Sequence, residues 1–508
     1  MYHRYIIKTV KDLKNLFSKV GRYNKNINNY KSAGNIISIP SYAFRNYAEY
    51  LFEKGLTKEA EQLLQDASLF VSNSADALID LGEMKQKSGN LDEAVDYFEK
   101  AATETKNNFK ALYLLGTAYC IKGNLEKAEK ALQQAEKINN KDYRVYLSWG
   151  ILLLKKKMYK EAKEKFEISV KYNMEDARSL YLLAITEIEL GYLDEAEEKL
   201  NFILHSTENN FEVMHNLAYV YFKKKNYDKA VSLATKALKI NSRKKETYVL
   251  LSDTFAEINQ PEKSFEILDI AINAGLKDQI ILMSYGNNLQ KFGEYKKAIN
   301  YLNDAVNTFN ITNSDELFSL LSKCYYFEND KENALSNAEK ALTSNSENSV
   351  ALEIKARINF DNNSLHEAIS LFNKALKNSS NKASIYFMLA KSYNILNDAE
   401  KSEKYYEKAI EYDKNNSEYY TDYIKFLTDT KQFKTANTKI LSAIKVLGEN
   451  SDLLNLQFLV KYNLAKENFY RYNIEETLEI AKKIENNYPN SFLYQNEKNE
   501  LTEGLGRK

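Results

Sequence analysis

The sequence predicts an all-α protein, an α-solenoid of stacked helix-turn-helix repeats, on three observations. Among 508 residues there are only 15 glycines and 3 prolines, too few for the turns of sandwiches, barrels and nucleotide-loop folds. One segment recurs at a 34-residue interval: NLDEAVDYFEKA at 90–101 returns as NLEKAEKALQQA at 124–135, and related segments stand at 192–203 and 226–237. Small residues hold fixed places inside that interval, and the apolar residues around them follow a helical period.

Residues 1–40 stand apart from the rest of the chain in charge. Arg4, Lys8, Lys11, Lys14, Lys19, Arg22, Lys25 and Lys31 oppose Asp12 alone. Ile6, Val10, Leu13, Phe17 and Val20 recur at spacings of three and four, so they share one helical face. We read this segment as a basic helix that caps the first repeat, followed by an Asn-rich linker. Contact with an anionic membrane surface is the alternative reading.

Repeats then begin at residues 41, 75, 109, 143, 177, 211, 245 and 279, and after one 36-residue step at 315, 349, 383 and 417, filling 41–450. Place 8 of successive repeats is small, as in Ala48, Gly82, Gly116, Gly150 and Ala184, and only Ile424 departs. Place 20 is always alanine or serine, from Ala60 to Ala436, and place 27 is mostly alanine. Two helices approach closely only where side chains are small, with bulky neighbours filling the remaining space. In the fourth repeat those fillers are Tyr146, Trp149, Leu153 and Phe166. Each repeat therefore reads as a first helix with an apolar stripe at places 4, 7, 8 and 11, a turn at Gly55, Gly89, Gly123, Gly191 or Gly293, and a second helix with its stripe at 20, 24 and 27. One pair cannot bury both stripes, so neighbours must stack. Residues 451–491 read as a degenerate further repeat whose spacing starts near Phe458, and 492–508 as a C-terminal tail.

The order Leu115-Gly116-x-x-Tyr119, then Ala128, then Ala135, at period 34, resembles the tetratricopeptide repeat. That resemblance implies a right-handed superhelix whose concave face, lined by first helices, binds segments of partner proteins. Ser72, Lys106 and Asn140 stand where the family often has proline, and Thr477 and Ile484 where it has alanine, whereas Pro489 fits. Some family members hold a C-terminal carboxylate with a clamp over three repeats; Arg45, Asn46, Asp80, Lys110 and Leu114 do not reproduce that set.

Composition excludes other classes. With 71 basic and 70 acidic residues the net charge is +1, so no global field draws nucleic acid, which we do not expect as a partner. Cys120 and Cys324 are the only cysteines, which suits a reducing, cytoplasmic setting and structural thiols. No run of eighteen apolar residues occurs, and mean hydropathy is −0.54. His3, His205, His215 and His366 are scattered, and no metal-ligand, nucleophile or phosphate-loop motif is present, so neither enzymatic activity, cofactor nor metal is expected. Acidic pairs such as Glu197–Glu198 read as solvated groups of ordinary acidity.

The informative positions are those that packing between paired helices does not require. Places 2, 5, 9 and 12 lie opposite the first helix's packing stripe. In the third to sixth repeats they include Tyr113, Leu147, Ile151, Tyr181, Ile185, His215 and Tyr219, an apolar set on a face that should be polar. We read these as a groove for an apolar or amphipathic peptide segment; the alternative is that adjacent first helices pack through them. Further along, place 9 holds Lys323, Arg357, Lys391 and Lys425, a basic ladder suited to an acidic segment. Glu316, Glu353 and Glu418 are candidates to neutralise it. The expected function is a non-enzymatic scaffold or adaptor. A substrate-presenting or regulatory subunit of a separate enzyme, or an envelope-associated assembly factor, are the rivals.

Overall fold

The computed structural model describes residues 41–70, 74–105, 107–207, 209–468, 471–489 and 495–506. The basic segment 1–40 lies outside the described residues. Everything regular among the described residues is α-helical, in 27 helices. Twelve helix pairs run from Ser41–Glu53 with Thr57–Phe70 to Ser417–Asp429 with Phe433–Leu447. First helices start at, or one residue before, the places the 34-residue spacing marks, and second helices start at place 17 of every repeat. Asx and Ser residues mark many first-helix starts: Asn108, Asp142, Asp176, Asn210 and Ser314 accept the backbone N–H three residues on, or two on for Asp142.

The turn between paired helices is set by backbone geometry at place 15. Gly55, Gly89, Gly123, Gly191 and Gly293 take φ of +76° to +83° there, and Asn259, Asn329, Asn363 and Asn397 take +57° to +60°. Lys157, Lys225 and Lys431 hold the same left-handed conformation at +58° to +60°, where a Cβ is disfavoured. The next residue closes the turn by donating to the place-11 carbonyl, as Asn124 does to Tyr119 at 3.0 Å and Asn226 to Tyr221 at 2.9 Å.

Inside each pair, place 20 is fully buried in every repeat. Where serine replaces alanine or glycine, its hydroxyl is satisfied across the pair: Ser322 donates to the Ala334 carbonyl at 2.8 Å and Ser402 to that of Ala390 at 3.0 Å. One compact unit ends at Thr247 and a second begins at Tyr248.

Beyond Leu447 the spacing is less regular. The next helix is Ser451–Asn468, so it starts seven residues before Phe458. Phe458 is buried at the place where other repeats carry a small residue, and Thr477, Ala481 and Ile484 are fully buried in the following helix, Arg471–Asn487. A bulky residue at that place, together with a second helix that starts four residues later than place 17, removes the signal by which the other repeats are phased. The last helix, Gln495–Gly506, lays Leu501 into the same core cluster.

Candidate functional site

The first helices Ser41–Glu53, Ser74–Lys87, Phe109–Lys122, Tyr143–Lys155 and Ala177–Leu190 bound a half-open groove of about 820 Å³ in the first compact unit. Its lining comes mainly from one helical face. Arg144 and Arg178 are at place 2; Arg45, Tyr113 and Leu147 at place 5; Glu49, Glu83, Thr117 and Ile151 at place 9; Phe52 at place 12. Because a helix turns 100° per residue, these positions converge while the packing stripe faces the second helix.

Polar and apolar elements alternate in this groove. Arg45 sits 3.3 Å from Asp80 and 3.0 Å from Glu83, and Glu83 also accepts from Lys110 Nζ at 3.1 Å. Burial pushes the Asp80 carboxyl up to about 6, against the opposing pull of Arg45 and Lys110. Toward the fourth repeat, Arg144 donates from Nε and Nη2 to the two oxygens of Asp142, at 2.9 and 2.5 Å. Its guanidinium lies 5.2 Å from the Tyr113 ring centroid and 5.9 Å from that of Phe109, so aromatic faces fix its orientation. Thr117 and Ser148 hydroxyls meet at 2.7 Å between them.

Of the seven groove candidates, Tyr113 and Leu147 are buried and Ile151 is half-buried, and all three line this cavity. Tyr181, Ile185, His215 and Tyr219 are half-buried and do not line it. Two of these four join neighbouring first helices: the Tyr181 hydroxyl accepts from Asn216 Nδ2 at 2.9 Å, and His215 Nδ1 lies 2.9 Å from Thr247 Oγ1. Burial holds the His215 imidazole below its usual range. Lys223 lies over the Tyr219 ring at 5.2 Å. The face thus serves both inter-repeat packing and the cavity wall.

In the second compact unit the ladder cations are largely neutralised. Glu353 accepts from Arg357 Nε at 2.9 Å, and Ser384 Oγ lies 2.5 Å from Arg357 Nη2. Asp422 lies 3.6 Å from Lys391 and 3.8 Å from Lys425. Burial pulls the Lys323 ammonium below its usual range, with Glu353 opposing. Glu353 was legible as a partner; Asp422, at place 6, was not.

Cys120 and Cys324 are free and buried, and burial raises their thiols to about 11 and about 12, which makes them unreactive. Glu197 is not an ordinary solvated acid: it is half-buried, accepts from the Tyr221 hydroxyl at 2.8 Å and Lys224 Nζ at 2.5 Å, and is held below its usual range although burial opposes this. The Arg45–Asp80–Glu83–Lys110 network was missed as a unit. Its signal is complementary charge at places 5, 6, 9 and 2 of three successive repeats. Among the described residues no group of three His, Cys, Asp or Glu side chains is placed to hold a metal ion. No described helix is long and apolar enough to cross a membrane.

Family models described as tetratricopeptide repeat match residues 85–148, 325–383 and 383–416. A model described as tetratricopeptide repeat protein 21 second ARM domain matches 125–260. No curated protein matches the chain in sequence. Among solved structures, the chain is similar to a tetratricopeptide repeat protein from Parabacteroides merdae, at 16% identity over 49% of this chain and 98% of that one, with a TM-score of 0.43. It is similar to one chain in the structure of the APC/C hetero-tetramer Cut9–Hcn1, at 12% identity over 83% of this chain and 96% of that one, with a TM-score of 0.41. It is also similar to YrrB, a repeat protein described as having an unusual peptide-binding site, at 23% identity over 37% and 97%, with a TM-score of 0.33.

Proposed function

The chain belongs to the tetratricopeptide repeat family, whose members are in general non-catalytic protein-interaction scaffolds, and from that premise we propose that it binds a segment of a partner protein in the groove of its first five repeats. One observation carries this reading. Place 2, 5, 9 and 12 side chains of five successive repeats enclose about 820 Å³, with Phe52, Leu147 and Ile151 offering apolar surface beside fixed charges. A concave site that combines apolar contact with a few oriented polar groups is the usual form of a binding cleft. Within the same proposal, residues 41–450 are the repeat array, 451–491 a degenerate repeat, and the setting is cytoplasmic, consistent with two buried free thiols.

Affinity capture from native lysate, with wild type beside Ile151→Glu and Ile185→Glu, tests the assignment. Ile151 lines the groove and Ile185 does not, so partners should be lost from the first variant and kept by the second. Equal recovery on all three, with folding verified by circular dichroism, removes the groove from consideration.

A further inference from the structure

We propose that the resting occupant of this groove is the chain's own basic segment, residues 1–40, which a partner must displace; the proposal rests on the assignment of the groove as a binding site. Charge is distributed unevenly along the chain. Residues 1–40, which lie outside the described residues, carry eight basic residues and one acidic, a net of +7. Residues 41–108, the first two repeats, carry 13 acidic and seven basic residues, a net of −6, and residues 109–508 are neutral overall. The acid that balances the basic segment is therefore concentrated in the two repeats that follow it, and opposite fields of this kind draw surfaces together.

Part of that acid lines the groove. From the first two repeats, Glu49, Glu53, Asp80 and Glu83 face it, against Arg45 and Lys87. Arg45 is shared by Glu49, Asp80 and Glu83, at 3.0–3.6 Å, while Glu53 is exposed and has no ion-pair or hydrogen-bond partner among the described residues. On the second helix of the second repeat, by contrast, Asp92, Glu93 and Glu99 are already met by Lys122, Lys85 and Tyr119. The groove also offers half-buried Phe52, Leu114 and Ile151, apolar surface that suits Ile6, Val10, Leu13, Phe17 and Val20 of the segment. Arg178, at the fifth-repeat end, has the sign that repels the segment, so its lysines belong over the first two repeats. The tether makes this docking cheap. Residue 40 joins Ser41 at the start of a groove-wall helix, along which Glu49 and Glu53 lie about 12–18 Å away. Residues 21–40 reach about 66–72 Å when extended, ample for residues 6–20 to fold back, and a link of that kind gives an effective concentration on the order of mM.

Photocrosslinking within the full chain tests this, with benzoylphenylalanine in place of Phe17. Irradiation of the dilute protein, read by peptide mass spectrometry, should join position 17 to the helices Ser41–Glu53, Ser74–Lys87 or Tyr143–Lys155 of the same chain. The yield should fall at least three-fold in Ile151→Glu and in Glu53→Lys; the second changes an exposed side chain and remains decisive if the first disturbs folding. Crosslinks to the helix Thr57–Phe70, as expected of a cap on the first pair, overturn the proposal. So do crosslinks between two chains, crosslinks to the groove that ignore both substitutions, and no crosslinks at all. In each of those cases the groove as a site for a foreign partner stands or falls separately, on the lysate capture described above.

Discussion

A methyl group added to Gly116 would lie 2.6 Å from both Cγ and Cδ2 of Leu132. The same relation joins Gly286 to Leu302, with Cγ at 2.5 Å, and joins Gly82 to Phe98 and Gly150 to Phe166. Glycine at place 8 is thus matched by a bulky residue at place 24 of the same repeat.

Gly116→Ala should lower stability by about 1–3 kcal/mol through overpacking, even though alanine is favoured over glycine in a helix by roughly 1 kcal/mol. Denaturant midpoints followed by circular dichroism check it. In the double variant with Leu132→Ala, the alanine at 116 should no longer be harmful.

The buried Asp80 carboxyl makes stability depend on pH. At about 6, it binds its proton more tightly in the folded chain than in the unfolded one. Stability contributed by this group therefore rises as pH falls through 6 and levels off below the ordinary carboxylate value. Arg45, Lys110, Glu83 and Asp76 are the charges acting on it. Asp80→Asn should raise stability at pH 7 by up to about 3 kcal/mol and flatten the pH profile between roughly 4 and 6. Melting curves across that range decide; an unchanged profile refutes the assignment.

The three lysines in the left-handed turn position are a reservoir of strain. Lys225→Gly should stabilise by about 0.5–1 kcal/mol, and Gly123→Lys should destabilise by a similar amount. Thermal unfolding of both variants, which touch no neighbour's packing, measures it. Opposite signs in the two are required.

Glu187 is almost completely buried, and Lys199 Nζ lies 2.9 Å from its carboxylate, while the second oxygen has no hydrogen-bond partner among the described residues. Burial raises this carboxyl above its usual range. Lys199→Ala should cost roughly 2–4 kcal/mol by stranding the charge. Glu187→Tyr, the residue that other repeats carry at this place as Tyr119 and Tyr221, should be neutral or stabilising. Equilibrium unfolding of both variants provides the check.

Much of the architecture was legible because steric periodicity writes itself into the sequence. Ala60, Ala94 and Ala128 are conspicuous at 34-residue intervals because only alanine or serine stands at that buried place, so helix pairs could be phased to a residue. The phase failed at Phe458, where a bulky side chain takes the small residue's place. At the candidate site, Tyr113, Leu147 and Ile151 were found from their face alone. Arg45, Asp80 and Glu83 were not, because the pairing of charges across repeats depends on which side chains the stack brings within 3–4 Å. Tyr181 and His215 showed the converse: the right face, engaged by the next helix instead of a cavity.

Since the small-for-large exchange between places 8 and 24 is completed within a single repeat at Gly82–Phe98, Gly116–Leu132, Gly150–Phe166 and Gly286–Leu302, each of these four blocks carries its own fit. A block copied, lost or transplanted brings both halves of that fit along, so the array can lengthen or shorten by gene duplication and deletion without any neighbour having to be redesigned around the newcomer's interior.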